Sequence, residues 1–92
     1  MDKTIADGFK KIKEDLEKEF KNHQKLNNAK VGDTHKDDYG MENGQFKCKI
    51  YINNDYRIII LPFEKIQDYP MSNQKKEFVK SIVDELLEVE GT

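Results

Sequence analysis

The sequence predicts an α+β fold, a small antiparallel sheet with an N-terminal and a C-terminal helix packed on one of its faces. Three observations carry that expectation. Apolar residues recur at helical spacing near both ends, a central stretch alternates apolar with polar residues, and two turn dipeptides punctuate that stretch. Ninety-two residues suit a single domain, 1–92, with one modest core. Charged residues make up 37% of the chain against 36% apolar, yet the net charge is only −2. Charge so well mixed, with the apolar residues clustered, favours a folded chain over a disordered one.

The first helix is expected over 4–26. Ile5, Phe9, Ile12, Leu16 and Phe20 fall on one helical face, and His23 and Leu26 extend the line. Thr4 with Asp7 reads as a relaxed capping box, and Gly8 weakens the first turn by about 1 kcal/mol relative to alanine. Residues 27–38 then read as a mobile polar connector without periodicity.

A β-meander is expected over 39–63, with the hairpin 45–63 at its centre. Asn43-Gly44 and Asn54-Asp55 are the turn dipeptides. Phe46, Cys48, Ile50 and Ile52 point one way from the first hairpin strand, and Lys47, Lys49, Tyr51 and Asn53 the other. A turn at Asn54-Asp55 sets Ile52 against Arg57, Ile50 against Ile59, Cys48 against Leu61 and Phe46 against Phe63. A one-residue slip would bring Lys47 and Lys49 into the core, so the pattern is expected to pin the register. A turn at Asn43-Gly44 adds a short strand over 36–42, with Met41 against Phe46 and Tyr39 against Cys48. Pro62 ends the hairpin or places its second strand at an edge. Residues 64–71 read as a connector, and Ser72 as the N-cap of a helix over 72–90 whose apolar face runs from Phe78 to Val89. The order is α-β-β-β-α, or α-β-β-α without the short strand.

Several chemistries are poorly served by this chain. Asp33, His35, Asp37 and Asp38 are its densest set of metal-type ligands. In a calcium loop the sixth position would be Asp38 where glycine is needed, and the twelfth Gly44 where a bidentate glutamate is needed. His23, His35 and Cys48 are too few for a zinc site of borderline donors. Cys48 falls on the core face, where a thiol is inert. Neither Ser72 nor Ser81 has a base or a nucleophile elbow beside it, and no glycine-rich phosphate loop is present. The expectation is a protein that is not an enzyme and holds no cofactor or metal. The single cysteine excludes an internal disulfide. Met1-Asp2-Lys3 leads into no apolar stretch, and the run Ile58–Leu61 is too short to span a membrane, so a cytoplasmic protein is expected.

The function expected is that of a small protein-interaction module. The face carrying Tyr51, Tyr56, Ile58 and Ile60, with Lys47 and Lys49 beside them, is apolar and aromatic if both helices lie on the other side. A covering helix, or scattered surface apolarity, would explain the same residues without function. A homodimer through this face or through the sheet edge would also satisfy it. Asp84, Glu85, Glu88 and Glu90 gather at the C-terminal end of the last helix, against the helix dipole, and form a second candidate contact unless they are merely solvated. Among sixteen basic residues only Arg57 is arginine, asparagine and isoleucine abound and alanine is scarce, which points to an A/T-rich genome. A phage or mobile element of a low-GC bacterium fits, and with it an inhibitor or regulator of a host protein, anti-defence proteins being one such class. A small sponge for a nucleotide signal is a further expectation.

The element order is also similar to that of double-stranded RNA-binding domains. Lys75-Lys76, near the start of the last helix, resembles the basic pair that those domains lay on phosphates. This resemblance implies nucleic-acid binding through Lys75 and Lys76; apart from the resemblance, Lys47 and Lys49 of the hairpin are expected to add to such binding. The chain departs from the family at its Gly-Pro-x-His loop, where it reads Glu42-Asn43-Gly44-Gln45, and in its acidic net charge.

Overall fold

The computed structural model describes residues 3–32, 39–42 and 44–90. It is α+β as expected, with helix α1 (Lys3–Phe20), strands β1 (Lys30–Val31), β2 (Tyr39–Glu42), β3 (Gln45–Ile52) and β4 (Asp55–Pro62), and helices α2 (Phe63–Asp68) and α3 (Lys75–Glu90). β3 is central. β4 pairs along one side of it, and β1 and β2 both pair with its other side, all antiparallel. The molecule is 19 Å through its thinnest direction, room for one sheet and one layer of helices.

α1 buries the stripe that its spacing predicts, from Ile5 to Phe20. It stops six residues sooner than 26. The chain tightens at its end, with Asn22 N–H donating to the Glu19 carbonyl and His23 N–H to that of Phe20. His23 itself is extended, at φ −122° and ψ 121°. Leu26 still reaches the core, from a separate 3₁₀ turn at Gln24–Leu26. Thr4 lies inside α1 rather than capping it.

The connector expected over 27–38 contains β1, with Lys30 opposite Tyr51 and Val31 opposite Ile50. Ala29 and Val31 are buried, so two isolated apolar residues were enough to hold this segment to the sheet. The Val31 N–H, facing away from β3, donates to the Glu17 carboxylate at 3.1 Å, which ties the strand to α1. β2 begins at Tyr39 and shows the expected register, Tyr39 opposite Cys48 and Met41 opposite Phe46; the first part of the strand expected over 36–42 lies outside the described residues. Gly44 takes φ +74° in the turn that follows, as a two-residue hairpin connection requires.

The hairpin differs from expectation by two residues. Its turn is Asn53-Asn54, so Ile52 faces Asp55, Ile50 faces Arg57, Cys48 faces Ile59 and Phe46 faces Leu61. Asn53 takes the left-handed conformation, φ 58°, which asparagine tolerates. Asp55 belongs to the strand instead; its carboxylate accepts the Tyr56 N–H at 2.7 Å and the Arg57 guanidinium at 3.2 Å. These bonds hold the Asp55 carboxyl below its ordinary range. A two-residue shift leaves each side chain on its expected face, because the strand period is two.

The segment 64–71 is not an irregular connector. Pro62, at φ −60° and ψ 141°, turns the chain out of β4 directly into α2, and a 3₁₀ turn follows at Tyr69–Met71. Phe63, expected opposite Phe46, opens α2 and is only partly buried, whereas Ile66 and Tyr69 are core residues. α3 starts at Lys75, three residues after Ser72, and the Ser72 hydroxyl accepts the Gln74 N–H just ahead of it. The core lies between the sheet and these helices, with the Phe9 and Phe46 rings 4.6 Å apart at its centre.

Candidate functional site

Strand alternation builds two faces on the hairpin. Phe46, Cys48, Ile50, Ile52, Ile59 and Leu61 face the helices and are buried. Among the described residues no helix lies over the other face of β3 and β4. Tyr51 is 37% exposed, Tyr56 43%, Ile58 55% and Ile60 52%, values too high for side chains packed beneath a helix. Cross-strand pairing sets Tyr51 beside Tyr56, Lys49 beside Ile58 and Lys47 beside Ile60. The two tyrosine rings meet edge to face at 6.2 Å, and the Lys49 ammonium sits 4.8 Å from the centre of the Tyr56 ring. Lys30 of β1 adds a third cation next to Tyr51. Among the described side chains of this face none is acidic. The six residues expected to form an interaction face thus stand together on one open surface, apolar in the middle and positive along one side.

The other expected candidates lie elsewhere. Lys75 and Lys76 line an open groove between α1 and α3, on the helical side of the sheet, with Asp15, His23, Tyr69 and Asp84. They form no single patch with Lys47 and Lys49. Lys75 is engaged locally, its ammonium donating to the Ser72 carbonyl at 3.0 Å. Asp84, Glu85 and Glu88 are exposed along α3; the Glu90 side chain is outside the described residues. So are Asp33, His35, Asp37 and Asp38, and among the described residues no three His, Cys, Asp or Glu side chains come together as a metal site would need. Cys48 is 1% exposed, and burial pushes its thiol up to about 12, far from thiolate reactivity at neutral pH.

The feature that sequence reasoning missed is a polar contact in the groove. The Tyr69 hydroxyl donates to the Asp15 carboxylate at 2.7 Å, and Lys11 pairs with the same carboxylate at 3.1 Å. The spacing of Phe63, Ile66 and Tyr69, three residues each, was the available signal for the buried side of this segment. Burial, then the Asp15 carboxylate, push the Tyr69 phenol well above its ordinary 10.0. Burial works against the Asp15 carboxylate, but Tyr69 and Lys11 outweigh it and its pKa falls below the ordinary 3.8. Tyr69→Phe is expected to cost about 1–2 kcal/mol at pH 7, read as a lower urea midpoint. The pH dependence has two arms. The folded state holds the phenol proton more tightly, so this stabilisation is present below pH 10 and is lost as pH rises beyond it. The carboxylate contribution is present above pH 3.8 and is lost as pH falls through the lowered pKa. Both arms should be shallower in Tyr69→Phe.

No protein-family model, curated protein or solved structure matches this chain.

Proposed function

We propose that this chain is a non-catalytic protein-binding module that docks a partner on the open face of its sheet. One observation carries the reading. Tyr51, Tyr56, Ile58 and Ile60 form a contiguous exposed apolar surface while the core on the other side is complete without them. Surfaces of this kind are typical of interfaces, and tyrosine is among the residues enriched at their energetic centres. Lys30 and Lys49 call for carboxylates on the partner, beside an apolar centre. The amino-acid bias toward A/T-rich codons supports a source in a low-GC bacterium or its phages and mobile elements, and on that reading the partner is a host protein and the outcome inhibition or regulation. Immobilised wild-type chain and Tyr51→Glu, offered the same low-GC bacterial lysate, test this. A stoichiometric protein should be retained by the wild type and bound at least about tenfold more weakly by the variant, which keeps the wild-type circular dichroism spectrum. Equal retention by both, or no stoichiometric protein at all, would overturn the proposal.

A second reading draws on the same residues. Two tyrosines interleaved with three lysines on an open sheet also suit single-stranded nucleic acid, by stacking and phosphate contact. Titration of a fluorescent single-stranded oligonucleotide at low salt separates the readings. Tight, salt-sensitive binding lost on Lys47→Glu and Lys49→Glu would favour nucleic acid, and its absence favours protein.

A further inference from the structure

β4 has no strand beyond it among the described residues, and its open edge is complementary to itself. Phe63 N–H donates to the Gly44 carbonyl, so that pair and each second pair along the ladder exchange hydrogen bonds. Asp55, Arg57, Ile59 and Leu61 therefore turn their backbone groups toward β3. Tyr56, Ile58, Ile60 and Pro62 turn theirs outward. Both ends of this outward row are closed. The Tyr56 N–H is taken by the Asp55 carboxylate and its carbonyl by the Arg57 guanidinium, and Pro62 has no N–H. The remaining donors and acceptors are those of Ile58 and Ile60. The opposite edge is treated differently, since Glu17 caps the outward Val31 N–H of β1.

We propose that two copies of this chain join antiparallel through β4, about a two-fold axis at Ile59. In that register Ile58 lies opposite the second copy's Ile60, and each exchanges both of its backbone bonds. Tyr56 lies opposite the second copy's Pro62, so the missing proline donor meets a carbonyl already satisfied by Arg57. No other antiparallel register of β4 on itself uses all four open groups without involving the closed ends. On the open face the side chains that meet along the seam are uncharged, with isoleucine against isoleucine and tyrosine against proline; on the other face Arg57, already paired with Asp55, lies opposite the second copy's Leu61. Lys47 and Lys49 stand one strand further in, about 14 Å from their counterparts across three strand spacings, and salt screens charges at that range. The product is one continuous sheet with both helical layers on one side and both open faces on the other. An unprotected edge strand is otherwise an aggregation hazard, and closed pairing removes it.

The inference concerns the edge, so it stands apart from the docking reading, which rests on the face. Sedimentation equilibrium of the full chain over a concentration series tests it. The wild type should dimerise, and Ile60→Pro should raise the dissociation constant at least about tenfold. That proline deletes only an outward N–H, so the monomer keeps its ladder to β3. Ile58→Lys, which charges the seam without touching the backbone, is the second variant should the proline disturb folding. Register is read by mild oxidation of Ile58→Cys mixed with Ile60→Cys, since the buried Cys48 does not compete. The mixed disulfide should form faster than either like pair. A wild type that stays monomeric to about 1 mM, a dimer that survives both variants, or like pairs that outpace the mixed one would each overturn the proposal. Loss of the dimer with partner capture intact would leave the docking reading standing.

Discussion

Gly8→Ala is expected to destabilise the protein, although alanine is the better helix former. In an exposed helix the substitution gains about 1 kcal/mol. Here Gly8 is buried where α1 meets α2, and a Cβ would collide with the Ile66 carbonyl and press on its side chain. A backbone carbonyl cannot swing aside as a side chain can, so one helix must shift relative to the other. Overpacking of this kind costs about 1–3 kcal/mol, and each kcal/mol lowers the melting temperature of a domain this size by about 4–8 °C. Thermal melts followed by circular dichroism at pH 7 give the answer. A melting temperature equal to or above the wild type would mean that α2 does not sit as closely on α1 as the structure has it.

Ile66→Ala should cost more, about 2–5 kcal/mol, the range for emptying a well-packed core site. Ile66 is completely buried although it lies on a helix of only six residues. A helix so short has little stability of its own, so its order depends on what it packs against. Removing the one buried anchor within α2 is therefore expected to loosen the α1–α2 contact as well as leave a cavity. Small domains of this kind have about 5–15 kcal/mol in all, and the variant should be close to its unfolding transition at 37 °C. Urea titration measures the loss. Ile58→Ala on the open face serves as the comparison and should fall within about 0.5 kcal/mol of the wild type.

The parts of the fold that were legible in the sequence are those written as a repeated pattern. Five apolar residues at helical spacing specified the buried side of α1, strict alternation assigned the β3 side chains to the correct faces, and pairing with β3 carried that assignment across to residues 56–62. The exact turn was not legible, because Asn53, Asn54 and Asp55 all favour turns and a two-residue shift leaves the faces unchanged. β1 and α2 were missed for a different reason. Each contributes only one or two core side chains, Val31 with Ala29 and Ile66 with Tyr69, too few for periodicity to register. Their order comes from tertiary contact, through the Glu17 carboxylate in one case and the gap left by Gly8 in the other. The candidate face was legible for the same reason the hairpin was, since alternation that buries one row exposes the next. Whether a helix covered that row was a matter of layering, which lies beyond the reach of local pattern.

The way β1 and β2 share one side of β3 bears on how this chain tolerates change. Gly32 N–H donates to the Lys49 carbonyl, and Tyr39 lies opposite Cys48, the neighbouring position on β3. Departure and return thus occur at consecutive rungs of one ladder, and the two short strands run in the same direction. In effect they are a single edge strand into which residues 33–38 have been spliced. Joining Gly32 directly to Tyr39 would restore an unbroken strand in the present register to β3. The ladder itself therefore sets no requirement on how many residues stand between Gly32 and Tyr39.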